Sequence, residues 1–222
     1  EDAAAPLIVA VGRLIEKKGF GDLIEAGARL RRDGRAFECR IIGDGPLEDD
    51  LRARIAAMRL EGSVVLEGAL AQHAVRDRLL AARVFALPCV VERDGGMDNL
   101  PTVIIEAMAC GLPCVSTTLA GVPEMIEDDA SGALVAPGDS EALAAALARY
   151  LDDSQLAAAH GRRGRQLAAS RFSLPVTARR LKHLLVAHGG ARLPLQALRR
   201  DPLLWRALAH RWLRLPARIP AP

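Results

Sequence analysis

The stretch from Leu7 to Arg32, LIVAVGRLIEKKGFGDLIEAGARLRR, carries the pattern that decides the fold. Its first five residues form a short apolar run, typical of a strand buried on both faces, and the run ends at Gly12. A polar loop follows over 13–19. From Phe20 onward the apolar residues recur at helical spacing, which predicts a helix as far as Arg32. The stretch therefore predicts a strand, a loop and a helix, the repeating unit of a parallel α/β sheet.

The same alternation continues along most of the chain. Five further short apolar runs are expected to be strands, at 37–43, 64–67, 84–87, 114–117 and 133–136. Helical patterns separate or follow them, at about 47–60, 74–82, 101–109, 122–127, 140–151, 155–172 and 174–188. Six buried strands joined by crossover helices predict an α/β fold, a doubly wound six-stranded parallel sheet with C-terminal helices. Such sheets bind ligands beyond the carboxyl ends of their strands, so the loops that leave the strands are where function is expected.

Composition and charge exclude several classes of protein. Half of the 222 residues are hydrophobic and 26% are charged, which does not fit a disordered chain, and no apolar run is long enough to span a membrane. The segment 190–222 holds seven arginines and one acid, so it carries a charge of +6 while residues 1–189 sum to −3. This basic amphipathic tail could lie on an anionic membrane surface, and the alternatives are a helix docked on the missing domain and a frayed tail. Unchanged vesicle binding after deletion of 190–222 would contradict membrane contact.

The cysteines and the start of the chain give two further expectations. No Cys-x-x-Cys pair is formed by the four cysteines, which are Cys39, Cys89, Cys110 and Cys114. Buried thiols in a reducing compartment are therefore expected, which favours the cytoplasm. The chain begins without Met and enters a strand almost at once, so it is interpreted as the C-terminal part of a longer protein.

The loop after the first strand combines glycine with positive charge. Gly12 and Gly19 bracket a segment that contains Arg13 and Lys18, and a helix begins directly after it. Backbone N–H groups, a helix N-terminus and two cations together favour an anion site suited to phosphates. A solvated basic loop is the alternative. The segment is not a P-loop, because no Gly-Lys-Ser/Thr sequence occurs.

The loop after the second strand contains Gly43-Asp44-Gly45-Pro46, a strong turn signal. A Gly-x-Gly after a strand suggests a dinucleotide fingerprint, but Glu48 occupies the third glycine position. A nicotinamide dehydrogenase is therefore disfavoured. A tight turn close to a ligand is an equally good interpretation of these two glycines.

The loop after the fourth strand leads from Asp98 through Asn99, Leu100 and Pro101 to a predicted helix. The helix start offers free N–H groups that suit a phosphate. Glu106 follows inside that helix, where an acid facing the sheet would be costly without partners. Its carboxylate could accept both hydroxyls of a vicinal diol. A helix-capping role for Asp98 and an ordinary ion pair for Glu106 are the alternatives.

Taken together and in order, these segments resemble the C-terminal, donor-binding domain of a family 4 (group 1) glycosyltransferase with the GT-B fold. The third segment matches as an acid, seven residues, then Glu-Ala-Met-Ala-x-Gly-x-Pro over 98–113, followed by Gly-Val-Pro-Glu over 121–124. The resemblance covers roughly residues 7–189. It implies a donor domain over 1–189, a tail over 190–222, and an N-terminal acceptor domain that this chain does not contain.

The resemblance also implies roles for single residues. Arg13 and Lys18 correspond to the cations that hold the donor diphosphate and stabilise the leaving nucleotide. Asp98 stands where the family usually has a Glu that contacts the donor sugar, and is one methylene shorter. Glu106 corresponds to the acid that accepts from the ribose hydroxyls. The remaining donor-binding residues implied are Gly12, Gly43, Gly45, Asn99, Leu100, Pro101 and Thr102, with Asn99 in the place of the usual glycine.

The function implied is transfer of a hexose from a UDP- or GDP-linked sugar, with retention of configuration, to a glycan or lipid-linked acceptor. The sequence 94–101, DGGMDNLP, is similar to a variant found in bacterial exopolysaccharide transferases. No Asp-x-Asp motif occurs, so Arg13, Lys18 and a helix dipole are expected to replace a metal, and no cofactor is expected. Turnover is expected to need the acceptor domain. A non-catalytic nucleotide-sugar-binding module is the alternative, which the substitutions at Asp98 and Asn99 allow.

Overall fold

The computed structural model of the protein describes residues 5–187. The strands are β1 (Leu7–Val11), β2 (Glu38–Ile42), β3 (Val64–Gly68), β4 (Val84–Leu87), β5 (Cys114–Thr117) and β6 (Gly132–Val135). The helices are α1 (Phe20–Arg32), α2 (Glu48–Ala57), α3 (Gln72–Ala81), α4 (Thr102–Ala109), α5 (Val122–Met125), α6 (Ser140–Asp152), α7 (Ser154–Leu167) and α8 (Leu174–Ala187). A 3₁₀ turn covers Glu16–Lys18 and a π-helical turn covers Ala168–Phe172.

The six strands form one parallel sheet in the order β3-β2-β1-β4-β5-β6. β1 lies at its centre, where Ile8 is beside Cys39 of β2 on one side and Val84 of β4 on the other. β4 is buried along its whole length, as its apolar sequence requires. The expected α/β fold with a six-stranded, doubly wound parallel sheet is confirmed.

Two layers of helices cover the sheet. α1 packs against α2 and against α6, while α4 packs against α7. Right-handed crossovers place α1 and α2 on one face and α3 and α4 on the other. α1 is amphipathic and buries Phe20, Leu23, Ile24 and Leu30 against this core. Every helix that follows a strand begins at the carboxyl edge of the sheet, so the helix N-termini and the loops before them share one end of the molecule.

Several helix and strand ends differ from expectation by one to five residues. α3 begins at Gln72 rather than at 74. α2 ends at Ala57, and Arg59 just beyond it has a left-handed backbone with φ 55°, which terminates the helix before 60. α6 begins at Ser140, and Asp139 before it caps the helix, because its carboxylate accepts from the N–H of Ala142.

The chain divides into two compact units, one ending at Ala168 and the other beginning at Ala169. In the second unit, α8 is stabilised near its start by the Thr177 hydroxyl, which donates to the carbonyl of Ser173. The predicted basic tail, 190–222, lies outside the described residues. Within the described part of the chain, no helix has the length and hydropathy that crossing a bilayer requires.

Candidate functional site

The strand order creates a crevice at the centre of the sheet. From β1 the chain proceeds outward to β2 and β3, and it then returns to β4 and proceeds the other way to β5 and β6. Adjacent loops after β1 and β4 therefore diverge to opposite faces, which opens a crevice beyond the carboxyl ends of these strands. The two loops are 12–19 and 88–101, two of the segments that sequence analysis singled out.

The two loops are tied together by backbone contacts. The N–H of Val90 donates to the carbonyl of Lys17 at 3.0 Å, and the N–H of Lys17 donates to a carboxylate oxygen of Glu92 at 3.4 Å. At Gly19 the backbone has φ 66°, and a Cβ there would overlap the carbonyl oxygen of Pro88. Glycine at this position thus permits the close approach of the two loops, which fixes the walls of the crevice.

An ion pair joins the two loops inside the crevice. Lys18 Nζ lies 2.5 Å from Asp98 Oδ2, and the two side chains are 14% and 19% exposed. Oδ2 is buried and accepts no hydrogen bond of ordinary geometry among residues 5–187, so its counter-charge is this ammonium. The pair is also close to the thiol of Cys89. Burial raises the pKa of that thiol to about 12, with a further rise from the Asp98 charge and an opposing effect of Lys18.

Of the three predicted donor-binding glycines, Gly12 contacts this pair, and Gly43 and Gly45 contact the loop that carries Lys18. The stem of Lys18 passes over Gly12, where a Cβ would be 3.2 Å from two of its methylene carbons. Gly43 has φ 139°, and a Cβ there would overlap the carbonyl oxygen of Gly12. At Gly45 a Cβ would lie 2.6 Å from the carbonyl oxygen of Leu14. The backbone of the loop after β2 therefore packs directly against the backbone of the loop after β1.

The segment between Asp98 and α4 brings a helix N-terminus to the same edge. Pro101 is buried and precedes Thr102, the first residue of α4, and the helix has no side-chain cap. The helix-capping alternative for Asp98 is therefore wrong, since its carboxylate pairs with Lys18 instead. The exposed Asn99 accepts a backbone hydrogen bond from Gly121 at 3.0 Å, and Leu100 is half-buried. The uncapped N–H groups at the start of α4 are thus available to an anion.

Glu106 lies one turn further along α4 and is exposed. The expectation that it faces the sheet is wrong, because Ile104, Ala107 and Met108 supply the buried face of this helix. The alternative of an ion pair is also wrong for the described residues, among which its carboxylate has no partner. Glu106 instead forms part of the wall of a cavity of about 470 Å³. Its carboxylate is free to accept hydrogen bonds from a ligand in that cavity.

Three polar residues on α3 share this cavity and were missed by sequence analysis as site residues. They are Gln72, His73 and Arg76, all exposed at or near the start of α3. The loop 67–73 was among those expected to matter, because it leaves β3 at the carboxyl edge. Since α3 begins two residues earlier than expected, Gln72 and His73 lie on its first turn, next to the cavity.

The cysteines confirm one expectation and extend it. Cys39, Cys89 and Cys114 are buried free thiols, as expected, whereas Cys110 is half-buried and lines the cavity with Glu106. Burial raises the pKa of the Cys110 thiol; Arg76 opposes the rise and Glu106 adds to it. The Cys110 thiol therefore lies within the fields of both charged residues, Arg76 and Glu106, that line the cavity with it.

Arg13 completes the set of predicted cations but differs from Lys18 in its surroundings. It is exposed and makes no ion pair in the described part of the chain. The loop that carries it is nevertheless fixed, because the N–H of Leu14 donates to the carbonyl of Asp44 at 2.7 Å. The structure therefore brings Gly12, Lys18 and Asp98 into contact, whereas no contact links Arg13 or Glu106 to that pair.

No metal centre is evident in the part of the chain that the structure describes, where no three His, Cys, Asp or Glu side chains are arranged to hold an ion. The candidate site thus consists of one paired and one unpaired cation, two uncapped helix N-termini at α1 and α4, and a buried carboxylate. One turn along α4 lies the cavity that Glu106 lines, whose wall mixes polar and apolar side chains. Such an arrangement suits a ligand with an anionic centre and hydroxyl groups on both sides of it.

Comparison with known proteins assigns the chain to a family. The sequence model of a family described as "Glycosyl transferases group 1" matches residues 1–167. The chain belongs to this family. A relative in the same family, the colanic acid biosynthesis glycosyltransferase WcaL of Escherichia coli K12, is 43% identical over 187 residues, which are 83% of this chain and 46% of WcaL.

Two further proteins support the assignment of this group 1 glycosyltransferase chain. The amylovoran biosynthesis glycosyltransferase AmsK of Erwinia amylovora is 46% identical over 142 residues, 64% of this chain and 35% of AmsK. The crystal structure of HepE from Anabaena, in complex with UDP and glucose, superposes with a TM-score of 0.71 at 25% identity, over 82% of this chain and 49% of HepE. The family and the Rossmann-like half of a GT-B fold, both inferred from sequence, are confirmed. The chain spans about half the length of the curated relatives that it matches.

Proposed function

We propose that the chain is the donor-binding half of a retaining, metal-independent glycosyltransferase that moves a hexose from a UDP- or GDP-linked sugar to a glycan or lipid-linked acceptor. The observation that carries the proposal is the Lys18–Asp98 pair, which lies in the crevice between β1 and β4 next to the Glu106 cavity. Asp98 is assigned to the transferred sugar, Lys18 to the diphosphate and Glu106 to the ribose. These three residues thus follow the order of the corresponding groups in a nucleotide sugar.

The diphosphate is assigned to the crevice. Lys18, Arg13 and the N-termini of α1 and α4 all concentrate positive potential there, because both helices begin at the carboxyl edge. As the bond between the anomeric carbon and the phosphate oxygen breaks, negative charge grows on the leaving nucleoside diphosphate. Fixed cations and helix dipoles lower the energy of that charge, which is the work that a metal ion performs in other transferases.

The nucleoside is assigned to the cavity of about 470 Å³. Its size is within the range of ordinary small-molecule sites. The Glu106 carboxylate can accept both ribose hydroxyls, and Gln72 and His73 on the opposite wall offer polar groups to the base. One turn of α4 separates Thr102 at the crevice from Glu106 in the cavity, about 6 Å of helix rise, which suits a ribose next to a diphosphate.

The biological context is proposed from the relatives. WcaL and AmsK carry names that refer to the biosynthesis of colanic acid and amylovoran, so we place this chain in exopolysaccharide synthesis. HepE was crystallised with UDP and glucose, which favours a nucleotide sugar as donor. An acidic side chain, Asp98, lies in the crevice beside Lys18, which favours an enzyme over a non-catalytic binding module.

The proposal is tested by calorimetric titration of the chain with UDP, GDP, ADP and NAD. One nucleoside diphosphate is expected to bind saturably, and Glu106→Ala is expected to weaken it by about 10- to 100-fold, the loss of hydrogen bonds to a charged acceptor. Glu61→Ala, an exposed glutamate next to the amino end of β3, is the matched control and should leave the affinity unchanged.

Two results would contradict the proposed function. Binding of NAD alone would indicate a dinucleotide site instead. Equal effects of Glu106→Ala and Glu61→Ala would remove the ribose from the Glu106 cavity.

A further inference from the structure

The Lys18–Asp98 pair has an unusual position for an ion pair in a binding site. The ammonium that is best placed to hold the donor's phosphates is already neutralised by an acid of the same chain, at 2.5 Å. Both side chains are more than four-fifths buried, so the pair is screened by water much less than a surface pair. An incoming diphosphate must compete with Asp98 for this ammonium.

We propose that donor binding is an anion exchange on Lys18, in which the diphosphate displaces Asp98 and the donor sugar then satisfies the released carboxylate. This inference rests on the proposed function, because it assumes that the crevice holds a nucleotide sugar. It adds a consequence for binding. In the free chain, Asp98 opposes binding of a diphosphate unless that diphosphate carries a sugar whose hydroxyls pair with the released carboxylate.

The argument for the second half of the exchange is the environment of Asp98 Oδ2. This oxygen is buried and has no hydrogen-bond donor of ordinary geometry besides the ammonium beside it, among the residues that the structure describes. Once Lys18 turns to the phosphates, Oδ2 becomes a buried, unpaired charge, which is costly. The hydroxyls of a hexose on the β-phosphate can pair with it, because a carboxylate accepts several hydrogen bonds.

The exchange makes the site selective for the complete donor over the free nucleoside diphosphate. A nucleotide sugar replaces both charge partners, one for Lys18 and one for Asp98. A nucleoside diphosphate replaces only the first, and its phosphates then lie beside an unpaired carboxylate. The product nucleotide is therefore expected to leave readily after transfer, as Asp98 returns to Lys18.

The test compares the affinity for UDP and GDP in the wild-type chain, Asp98→Asn and Asp94→Asn, with Lys18→Met as a fourth protein. Asp98→Asn is expected to bind its nucleotide tighter by about fivefold to thirtyfold, because Lys18 is released and a nearby negative charge is removed. Asp94→Asn removes the same charge from an exposed turn of the same loop, where the side chain accepts from the N–H of Gly96, and should change the affinity by less than about twofold. Lys18→Met is expected to lose most binding.

The outcomes separate the inference from the proposed function. If the wild-type chain binds a nucleotide and Asp98→Asn binds it no tighter, the exchange is wrong and the proposed function stands. The same holds if Asp94→Asn raises the affinity as much as Asp98→Asn does. Absence of binding in the wild type and in both aspartate variants overturns the proposed function and the exchange with it. Binding by Asp98→Asn but not by the wild type supports the exchange. Asp98→Ser, with thermal unfolding of each protein as a check, replaces Asp98→Asn if that variant does not fold.

Discussion

The alkylation rate of Cys110 can show whether the proposed nucleoside cavity is occupied. It is the half-buried cysteine of the four, and it shares the cavity wall with Glu106, while Cys39, Cys89 and Cys114 are buried. Because the thiolate is the reactive form and burial raises the pKa of Cys110, its alkylation is slow at neutral pH and accelerates as the pH rises.

Saturating UDP or GDP is expected to slow alkylation of Cys110 by iodoacetamide at about pH 9 at least about fivefold, because a bound ribose would cover the thiol. Peptide mass spectrometry measures the rate at this cysteine. Cys110→Ser should remain unlabelled under the same conditions. A rate that does not change with a nucleotide shown to bind by calorimetry would place that nucleotide outside the cavity.

The kinds of residue in the site could be predicted from the sequence, whereas their pairing could not. Glycines, cations and acids after apolar runs indicate a ligand site, since parallel strands place those loops at one edge. The contact of Lys18 with Asp98 depends on how two long loops fold against each other, which no local pattern determines. The exposure of Glu106 depends on which face of α4 meets the sheet, and its mostly apolar sequence leaves that face ambiguous.

The loop after β2 acts on the site through backbone shape. At Gly43 a side chain would meet the carbonyl of Gly12, and φ 139° is unfavourable for other residues. Gly12 in turn lies under the stem of Lys18. A change at position 43 is therefore expected to reach the ammonium through the backbone contact with Gly12 and the Lys18 stem that lies over Gly12.

Gly43→Ala is expected to lower the free energy of unfolding by about 2–4 kcal/mol, from backbone strain and the collision with Gly12, and to weaken nucleotide binding as well. Gly34→Ala is the matched control: its φ is 78° but nothing lies within 4 Å of the added carbon. It should cost about 1 kcal/mol and leave binding unchanged. Equal effects of the two variants, in chemical unfolding and in calorimetry, would contradict the supporting role of this loop.

Element boundaries were predictable where burial sets them and less so at the helix ends. β1, β4 and β5 coincide with their predicted runs, because a strand covered on both faces is mostly apolar. Ser116 and Thr117 in β5 are buried as well, and their hydroxyls donate to backbone carbonyls. α1 also coincides with its periodic pattern. Asp139 and Ser140 are both good N-cap residues, and only the geometry of the turn decides which side chain reaches the N–H of Ala142.

At the scale of the whole molecule, the strand order brings separate loops together at the proposed donor site. The reversal between β1 and β4 brings Lys18 and Asp98 to one crevice although they are far apart in sequence. The described part of the chain offers a second charged cavity, of about 540 Å³, between the ends of α1 and α6, whose lining includes Arg29, Arg32 and Arg149. Arg29 and Arg149 are already paired with Glu141 and Asp129, and this cavity lies away from the carboxyl ends of β1 and β4.

The measurement that tests the central claim most directly is a crystal structure of the chain with the nucleoside diphosphate that binds it. The expected result has phosphate oxygens within hydrogen-bond distance of Lys18, the ribose hydroxyls on Glu106, and Asp98 beyond ion-pair distance from the ammonium. A nucleotide in the cavity between α1 and α6, or one bound in the crevice while Lys18 remains paired with Asp98, would contradict the account.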